Sequence, residues 1–361
     1  MAPPCFAPLL SSLLLGQSPA ESLASRLKVE GGADVYYGYN PNRPASGANF
    51  LPGTGTTALR DNAFTLNLAS LGVSLEPAPV GFRVLVGLGT AVDVVHAAEP
   101  EAPGIGPEVW RLLQQASVSY VHGPLALEAG IYPSHIGLEV LPSQGNWTYT
   151  RSWMGELSPY YQAGLKGTWT FSKEWSAQLH VLNGWQTIGE NNRGKALGTQ
   201  VAYAGERLSV SFNTFIGEEG SGGDEGPRLF GDLVAIWRVT EALSLAATAD
   251  VGTQRRPGQS AAVWYAAALN GRFQVAGPVA VAARAEFFDD RGGLISGTVQ
   301  QLVEGTLTLE VRPVEHLVLK LEARHDRSSA EVFGGPATPD GSTPLPRSTQ
   351  TLVVAGATAY F

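Results

Sequence analysis

Apolar and polar residues alternate one by one along most of this chain. In residues 317–324 the odd positions are leucine or alanine and the even positions are mostly charged, and residues 279–287 and 208–213 repeat the pattern. Because successive side chains of a β-strand point to opposite faces, each segment has one apolar and one polar face. Helical periodicity is nearly absent, and its best candidate is a short helix over 107–115 with Pro107 at the first helical position.

About 16 such segments follow one another, each roughly 9–15 residues long, which is enough for a tilted strand to cross a bilayer. They begin near residues 27, 64, 80, 111, 124, 160, 175, 195, 207, 228, 242, 261, 278, 299, 316 and 349. Short links such as 172–174 and 313–315 alternate with long ones such as 133–159 and 326–348. This alternation predicts an all-β, antiparallel, up-and-down transmembrane barrel with short periplasmic turns and longer extracellular loops.

In such a barrel the apolar positions face lipid and the polar positions face the lumen. The residues predicted to line the pore from the strands are Glu128, Lys166, His180, Asp232, Arg238, Arg284, Glu286, Glu304, Arg312, Lys320, Glu322 and Arg324. Tryptophans near strand ends, such as Trp169, Trp175 and Trp237, suit a girdle at the membrane interface. The alternative is a soluble sandwich or propeller, in which the apolar face forms the core and the charged face meets solvent.

The composition favours the membrane barrel. Only 16% of the residues are charged, 43 are glycine and the mean hydropathy is +0.00, whereas about a quarter of a soluble domain is usually charged. No internal stretch reaches the roughly 18–20 apolar residues that a membrane-spanning helix needs. The net charge of −8 and the lack of a basic patch argue against a nucleic-acid partner.

The first twenty residues have the pattern of a cleaved secretory signal. An apolar stretch at 6–15 precedes the small residues at 18–20, which suit a cleavage site, so we expect a signal peptide over 1–20 and a barrel over 21–361. The first basic residue is Arg26, so the usual positive start is missing; the alternatives are a buried N-terminal helix and a wrongly assigned start. The single cysteine, Cys5, lies in this segment, so neither a disulfide nor a cysteine-based zinc site is expected in the mature chain. The motifs of the chain predict no cofactor and no metal ligands either.

The chain ends on an aromatic residue in phase with an amphipathic final strand. Phe361 shares its face with Ala359, Ala357 and Ala355. This resembles the C-terminal strand that the outer-membrane assembly machinery recognises, although bulkier residues are usual at 357 and 359. The resemblance makes Phe361 the candidate assembly signal.

Residues 116–203 resemble the OmpL-like family of bacterial outer-membrane β-barrel porins. Several short motifs fall in the family's order, and the segment 33–37 is similar to its start. The matching pieces in this chain lie at 115–120, 129–132, 136–139, 146–152, Pro159, Gly164, 183–185, Asn191, Asn192 and Lys195. The resemblance implies a porin-type barrel in the bacterial outer membrane and carries over no catalytic residues.

The link 133–159 joins the fifth and sixth predicted strands. In general porins the loop at this place folds into the lumen and narrows the channel, so it is the candidate constriction loop. Glu139 and Arg151 could pair across it and hold it against the wall. The alternative is that these residues only anchor the loop and never touch solute.

The leading hypothesis for the function is a porin through which small hydrophilic solutes diffuse passively, without enzyme activity. A structural or adhesion barrel plugged by its loops is the first rival. A rim protease is the second, since Asp289-Asp290 and His325-Asp326 lie at the predicted outer rim and a carboxylate pair with a histidine can activate water. The partners expected of the barrel are outer-membrane lipid, the assembly machinery, small solutes and, with the state left open, further copies of itself.

Overall fold

The computed structural model describes residues 23–99, 110–190, 192–219, 226–338 and 345–361, and within them sixteen strands account for most of the chain. The strands are β1 (Leu27–Tyr39), β2 (Ala63–Leu75), β3 (Val80–Leu88), β4 (Leu113–His122), β5 (Leu125–Pro133), β6 (Tyr161–Thr170), β7 (Trp175–Leu182), β8 (Ala196–Ala204), β9 (Leu208–Glu218), β10 (Pro227–Arg238), β11 (Leu243–Gln254), β12 (Ala262–Ala276), β13 (Val279–Asp290), β14 (Gln300–Val314), β15 (Leu317–Ser328) and β16 (Thr349–Tyr360). Their starts confirm the predicted ones, and the largest difference is at β4, which begins at 113 rather than 111.

Every strand pairs antiparallel with its neighbours along the chain, and β1 pairs with β16 to close the barrel. This is the predicted up-and-down topology, and closure removes the unpaired edges that sixteen strands would otherwise leave. The described helices are short: α1 (Leu23–Arg26), α2 (Thr90–Val95) and α3 (Trp153–Glu156). None of the helices in the described ranges is long and apolar enough to cross a membrane. The segment 1–20, predicted as a signal peptide, lies outside the described residues.

The predicted helix at 107–115 is wrong in the part that the structure describes. Residues 107–109 lie outside that part, 110–112 form a turn, and Leu113 already begins β4. Leu113 pairs with Val86 of β3, and the side chain of Gln115 donates a hydrogen bond to Glu128 at 3.2 Å. Sheet pairing with β3 and a side-chain hydrogen bond to β5 therefore outweigh a weak local helical pattern.

The two faces of the barrel wall differ as predicted. On β14 the outward Val303 and Leu307 are 52% and 57% exposed, while Glu304 between them is 2% exposed. The same inversion holds on β15, where Leu321 is 52% exposed and the neighbouring Glu322 only 1%. Since the buried face is the charged one, this is not a soluble sandwich with an apolar core; the apolar face is suited to contact lipid.

Exposed tryptophans mark the rim where the short turns lie. Trp169 lies near the end of β6, Trp175 begins β7 and Trp237 lies near the end of β10, and each is about half exposed. The ring of Trp175 packs on Tyr203 with 5.1 Å between ring centroids. Aromatic rings at this level suit the interface between lipid and water.

The C-terminal residue completes the closing seam. The backbone N–H of Phe361 donates to the carbonyl oxygen of Gly31 at 2.9 Å, and the Gly31 N–H donates back at 3.2 Å. The ring of Phe361 is 65% exposed and lies so close to Gly31 that a Cβ there would come within 2.9 Å of it. Phe361 therefore extends the β1–β16 pairing, and its role in assembly stays a prediction.

Candidate functional site

The loop 133–159 enters the barrel and crosses its lumen. Near its start the Gly137 N–H donates to Asp232 on β10 at 2.8 Å, and further along the Ser143 hydroxyl lies 3.0 Å from that of Thr358 on β16. Trp153 of this loop is fully buried. A loop on the outside of the barrel could not make these contacts with inward positions of distant strands.

Three successive inward residues of β15 bind the loop backbone. The ammonium group of Lys320 donates to three loop carbonyl oxygens at 2.6–3.1 Å, those of Ser143, Asn146 and Thr148. The Glu322 carboxylate accepts from the Thr150 N–H at 2.9 Å and from the Tyr149 N–H. The guanidinium of Arg324 donates to the Arg151 carbonyl oxygen and forms an ion pair with Asp326 at 2.8 Å. Inward strand positions two residues apart thus hold consecutive parts of an extended loop.

Strand β13 binds the returning half of the loop. Arg284 lies between two carboxylates, Glu304 of β14 at 2.9 Å and Glu139 of the loop at 2.8 Å. The Glu286 carboxylate accepts the N–H groups of Trp153 and Met154, both at 2.7 Å. These are the first residues of α3, whose N–H groups have no partner within the helix. The wall charge therefore satisfies the backbone of the short helix.

The predicted pairing of Glu139 with Arg151 is wrong. Glu139 binds Arg284, and it also accepts the Ser152 N–H at 2.9 Å. The guanidinium of Arg151 turns the other way, to the Val140 carbonyl oxygen at 3.0 Å and the Thr56 hydroxyl at 2.7 Å. The barrel wall supplies a cation for the loop carboxylate, so the loop arginine is free to bind the neighbouring loop.

That neighbouring loop, 40–62, was not identified as part of the site from the sequence. Its Gly55 and Thr56 N–H groups both donate to the Glu156 carboxylate at 3.0 Å, and its Phe50 packs edge-on against Trp153 with 5.9 Å between centroids. Burial raises the pKa of the Glu156 carboxyl. The signal that could have revealed this loop is the large apolar pair at 50–51 within a long link.

Three other residues predicted to line the pore lie on β5, β6 and β7, away from the strands that bind most of the loop. Glu128 and Lys166 pair at 2.5 Å on the inner face of β5 and β6. The fully buried His180 of β7 stacks on His135 of the loop with 4.1 Å between ring centroids. These contacts place all three predicted residues inside the barrel.

Two predicted arginines lie towards the rim of the short turns. Arg312 of β14 donates to Glu310 at 3.0 Å and to the loop carbonyl oxygen of Gln144 at 3.0 Å, so it still holds the loop. Arg238 is at the last residue of β10, is exposed and donates to the Glu206 carbonyl oxygen. Its position at the end of the strand places Arg238 at the rim rather than in the lumen, although its phase is inward.

The charged groups of the inner wall are exposed to solvent to different extents at different places. The side chains of Arg284 and Glu304, under the loop, are 0% exposed. On the opposite side Glu128 and Lys166 keep 16% and 17%. Towards the short-turn rim the ion-paired Glu30 and Arg83 are both 38% exposed. The lumen is therefore filled unevenly.

The residues of the suggested rim protease are not brought together. Alternation puts Asp290 and Asp326 on the inner face and Asp289 and His325 on the outer face. Asp290 accepts N–H groups of the following turn and His325 binds Thr351, at 2.9 Å. Among the described residues no group of three or more His, Cys, Asp or Glu side chains is placed to bind a metal ion.

Comparisons with known proteins agree with this architecture. The family model described as beta-barrel porin-2, OmpL-like, matches residues 26–361. No curated protein matches the sequence. Among solved structures, the anion-selective porin of Comamonas acidovorans is similar with a TM-score of 0.61 at 14% identity, covering 93% of this chain and 99% of the porin.

Two further solved structures have the same fold. The outer-membrane channel DcaP of Acinetobacter baumannii has a TM-score of 0.61 at 10% identity, covering 93% of this chain and 97% of its own. OmpT of Vibrio cholerae, an outer-membrane protein described in a trimer form, has a TM-score of 0.58 at 9% identity, covering 93% of this chain and 99% of its own. At these identities the likeness concerns the fold alone.

Proposed function

Because this chain belongs to the OmpL-like β-barrel porin family, we propose that it is an outer-membrane porin through which small hydrophilic solutes diffuse passively. The observation that carries the proposal is the uneven filling of the lumen. The loop 133–159 covers the inner wall at β13–β15, while inward ion pairs such as Glu128–Lys166 keep contact with solvent. A sixteen-stranded barrel is too wide for side chains alone to fill.

The proposed mechanism is passage between the anchored loop and the uncovered wall. Solute size is limited by the loop, and solute charge is sensed by the groups that line the remaining space. The many bonds from Lys320, Glu322 and Arg284 fix the loop, so the passage keeps a constant width. The same contacts then both anchor the loop and make it narrow the channel.

A planar bilayer tests this function directly. We expect the purified protein to give discrete, weakly selective conductance steps in KCl, because inward charges in contact with solvent, such as Glu30 and Arg83, are tolerable only beside water. A barrel that inserts, shown by its heat-modifiable mobility on gels, and yet never conducts would contradict the proposal. That result would favour the plugged structural barrel.

The proposed function also implies that the barrel lies in the outer membrane with its long links facing the outside of the cell. In intact cells, added protease is expected to cut within 217–227 or 326–348, because long links face outward in outer-membrane barrels. Cleavage at 172–174 or 313–315, the short turns, is expected only after the outer membrane is opened. Cutting confined to the short turns in intact cells would mean the opposite orientation.

The proposed porin has three further partners, namely outer-membrane lipid, the assembly machinery and other copies of itself. The apolar outer face is suited to outer-membrane lipid, and Phe361 at the closing seam suits recognition by the assembly machinery. A solved neighbour is described as a trimer, which supports self-association of this barrel.

A further inference from the structure

Two aspartates face each other inside the barrel on neighbouring strands. Asp232 of β10 is the register partner of Asp250 of β11, and the two residues are 1% and 8% exposed. Side chains directly opposite on antiparallel strands lie within contact of each other, and like charges in such a pair are destabilising. Something other than the two strands must therefore balance this pair.

The described side chains around the pair do not supply that balance. Oδ2 of Asp232 accepts from the Gly137 N–H at 2.8 Å and from the Asn213 amide at 2.6 Å. Oδ1 of Asp232 and Oδ1 of Asp250 have no donor among the other described residues, and the two carboxyl groups lie within hydrogen-bonding contact of each other. Neither residue forms an ion pair with a described basic side chain, whereas the buried Glu304 pairs with Arg284 at 2.9 Å. Buried carboxylates left in this condition are costly.

A cleft opens where these carboxylates lie, between the loop and strands β10–β12. Its volume is about 20 Å³, room for about one water molecule or one small ion. Besides the two aspartates, its lining offers the Thr248 hydroxyl and the amide of Asn270. Clustered carboxylate, hydroxyl and amide oxygens are the ligands that hard cations such as Ca²⁺ prefer.

We propose that Asp232 and Asp250 bind one hard divalent cation in this cleft. The ion balances the two facing carboxylates, uses their free oxygens and leaves Oδ2 of Asp232 bonded to Gly137. It thereby stabilises the wall to which the start of the loop is attached. The competing arrangement is a proton held between the two carboxyl groups, which would balance one charge and leave no need for a cation. Cation binding at this site does not require conduction. The test of the site can therefore fail while the proposed porin function holds, and the reverse.

Calorimetry on the full-length barrel, purified in detergent and stripped with a chelator, tests the proposal with CaCl₂ as the probe. We expect the unaltered protein to take up one Ca²⁺ per chain. The double variant D232N/D250N is expected to lose this uptake, because amides keep the shape but remove both charges. E241Q, which neutralises an exposed carboxylate in a turn after β10, is the matched control and is expected to bind as the unaltered protein does.

A second measurement uses only the unaltered protein, so its result does not depend on whether the variant folds. Its thermal unfolding midpoint is expected to rise in CaCl₂ relative to choline chloride of the same ionic strength, because an ion bound only by the folded state stabilises it. No uptake and no shift in the unaltered protein would overturn the proposal and indicate the shared proton. Equal uptake by a folded D232N/D250N variant would overturn it as well.

Discussion

Replacing residues 138–152 with a short Gly-Ser linker is expected to raise the single-channel conductance at least about twofold, because the narrowest part of the lumen is then removed. The replacement takes away the segment that Lys320 and Glu322 bind. It leaves Trp153 and Glu156 in place, so the attachment of loop 40–62 to α3 survives. The wall charges released from the loop would face water, where they are stable. Single-channel recording in planar bilayers measures the effect.

The matched control removes residues 257–259 from the exposed turn between β11 and β12. That turn lies outside the lumen contacts described for the loop, so its shortening is expected to leave the conductance unchanged. Equal conductance of the loop replacement and the unaltered protein would show that the loop does not limit passage. A rise in the control variant would show that the loops act through general loosening of the barrel.

Arg284→Met is expected to lower the free energy of unfolding by about 3–5 kcal/mol, because removing one partner of a buried ion pair leaves the other charge uncompensated. Arg284 has no exposed side-chain surface, and its guanidinium holds Glu304, Glu139 and the Thr150 carbonyl oxygen together. Its loss frees the middle of the loop from β13. Denaturant unfolding in detergent measures the stability, and bilayer recording is expected to show noisier conductance steps.

Two further variants make this result specific. R284M leaves two carboxylates, Glu304 and Glu139, without their cation. R284M/E304Q removes one of these two charges together with the arginine, so it is expected to recover part of the lost stability while the conductance stays noisy. R327M makes the same replacement on the exposed outer side of β15 and is expected to be near neutral. If R284M proved no less stable than R327M, the ion pairs of Arg284 would not be what fixes the loop.

The sequence by itself determined the barrel. Period-two alternation is a local property, since each residue's face follows from its place along its own strand. The strand starts, the apolar outer face and the inward phase of residues such as Glu304 and Lys320 could therefore be predicted without knowing which strands meet. The alternation of link lengths then ordered the strands, because short turns can join only adjacent antiparallel strands.

The tertiary structure decided which partner each lumen residue takes. Glu139 and Arg151 are twelve positions apart in one loop, yet Arg284 binds the first and Thr56 the second. Only the closed wall and the second loop bring those groups together. The local helical pattern before β4 was overridden in the same way, by hydrogen bonding to strands on both sides.

The pairing of Asp232 with Asp250 shows the physical reason most clearly. Each aspartate could be assigned to the inner face from its own strand. That they face each other depends on the register between β10 and β11, and their burial depends on a loop that departs after β5. The face of the sheet to which a side chain points is set by the bonds along its own strand. The charge balance in the lumen is set by distances between segments that are far apart in the chain.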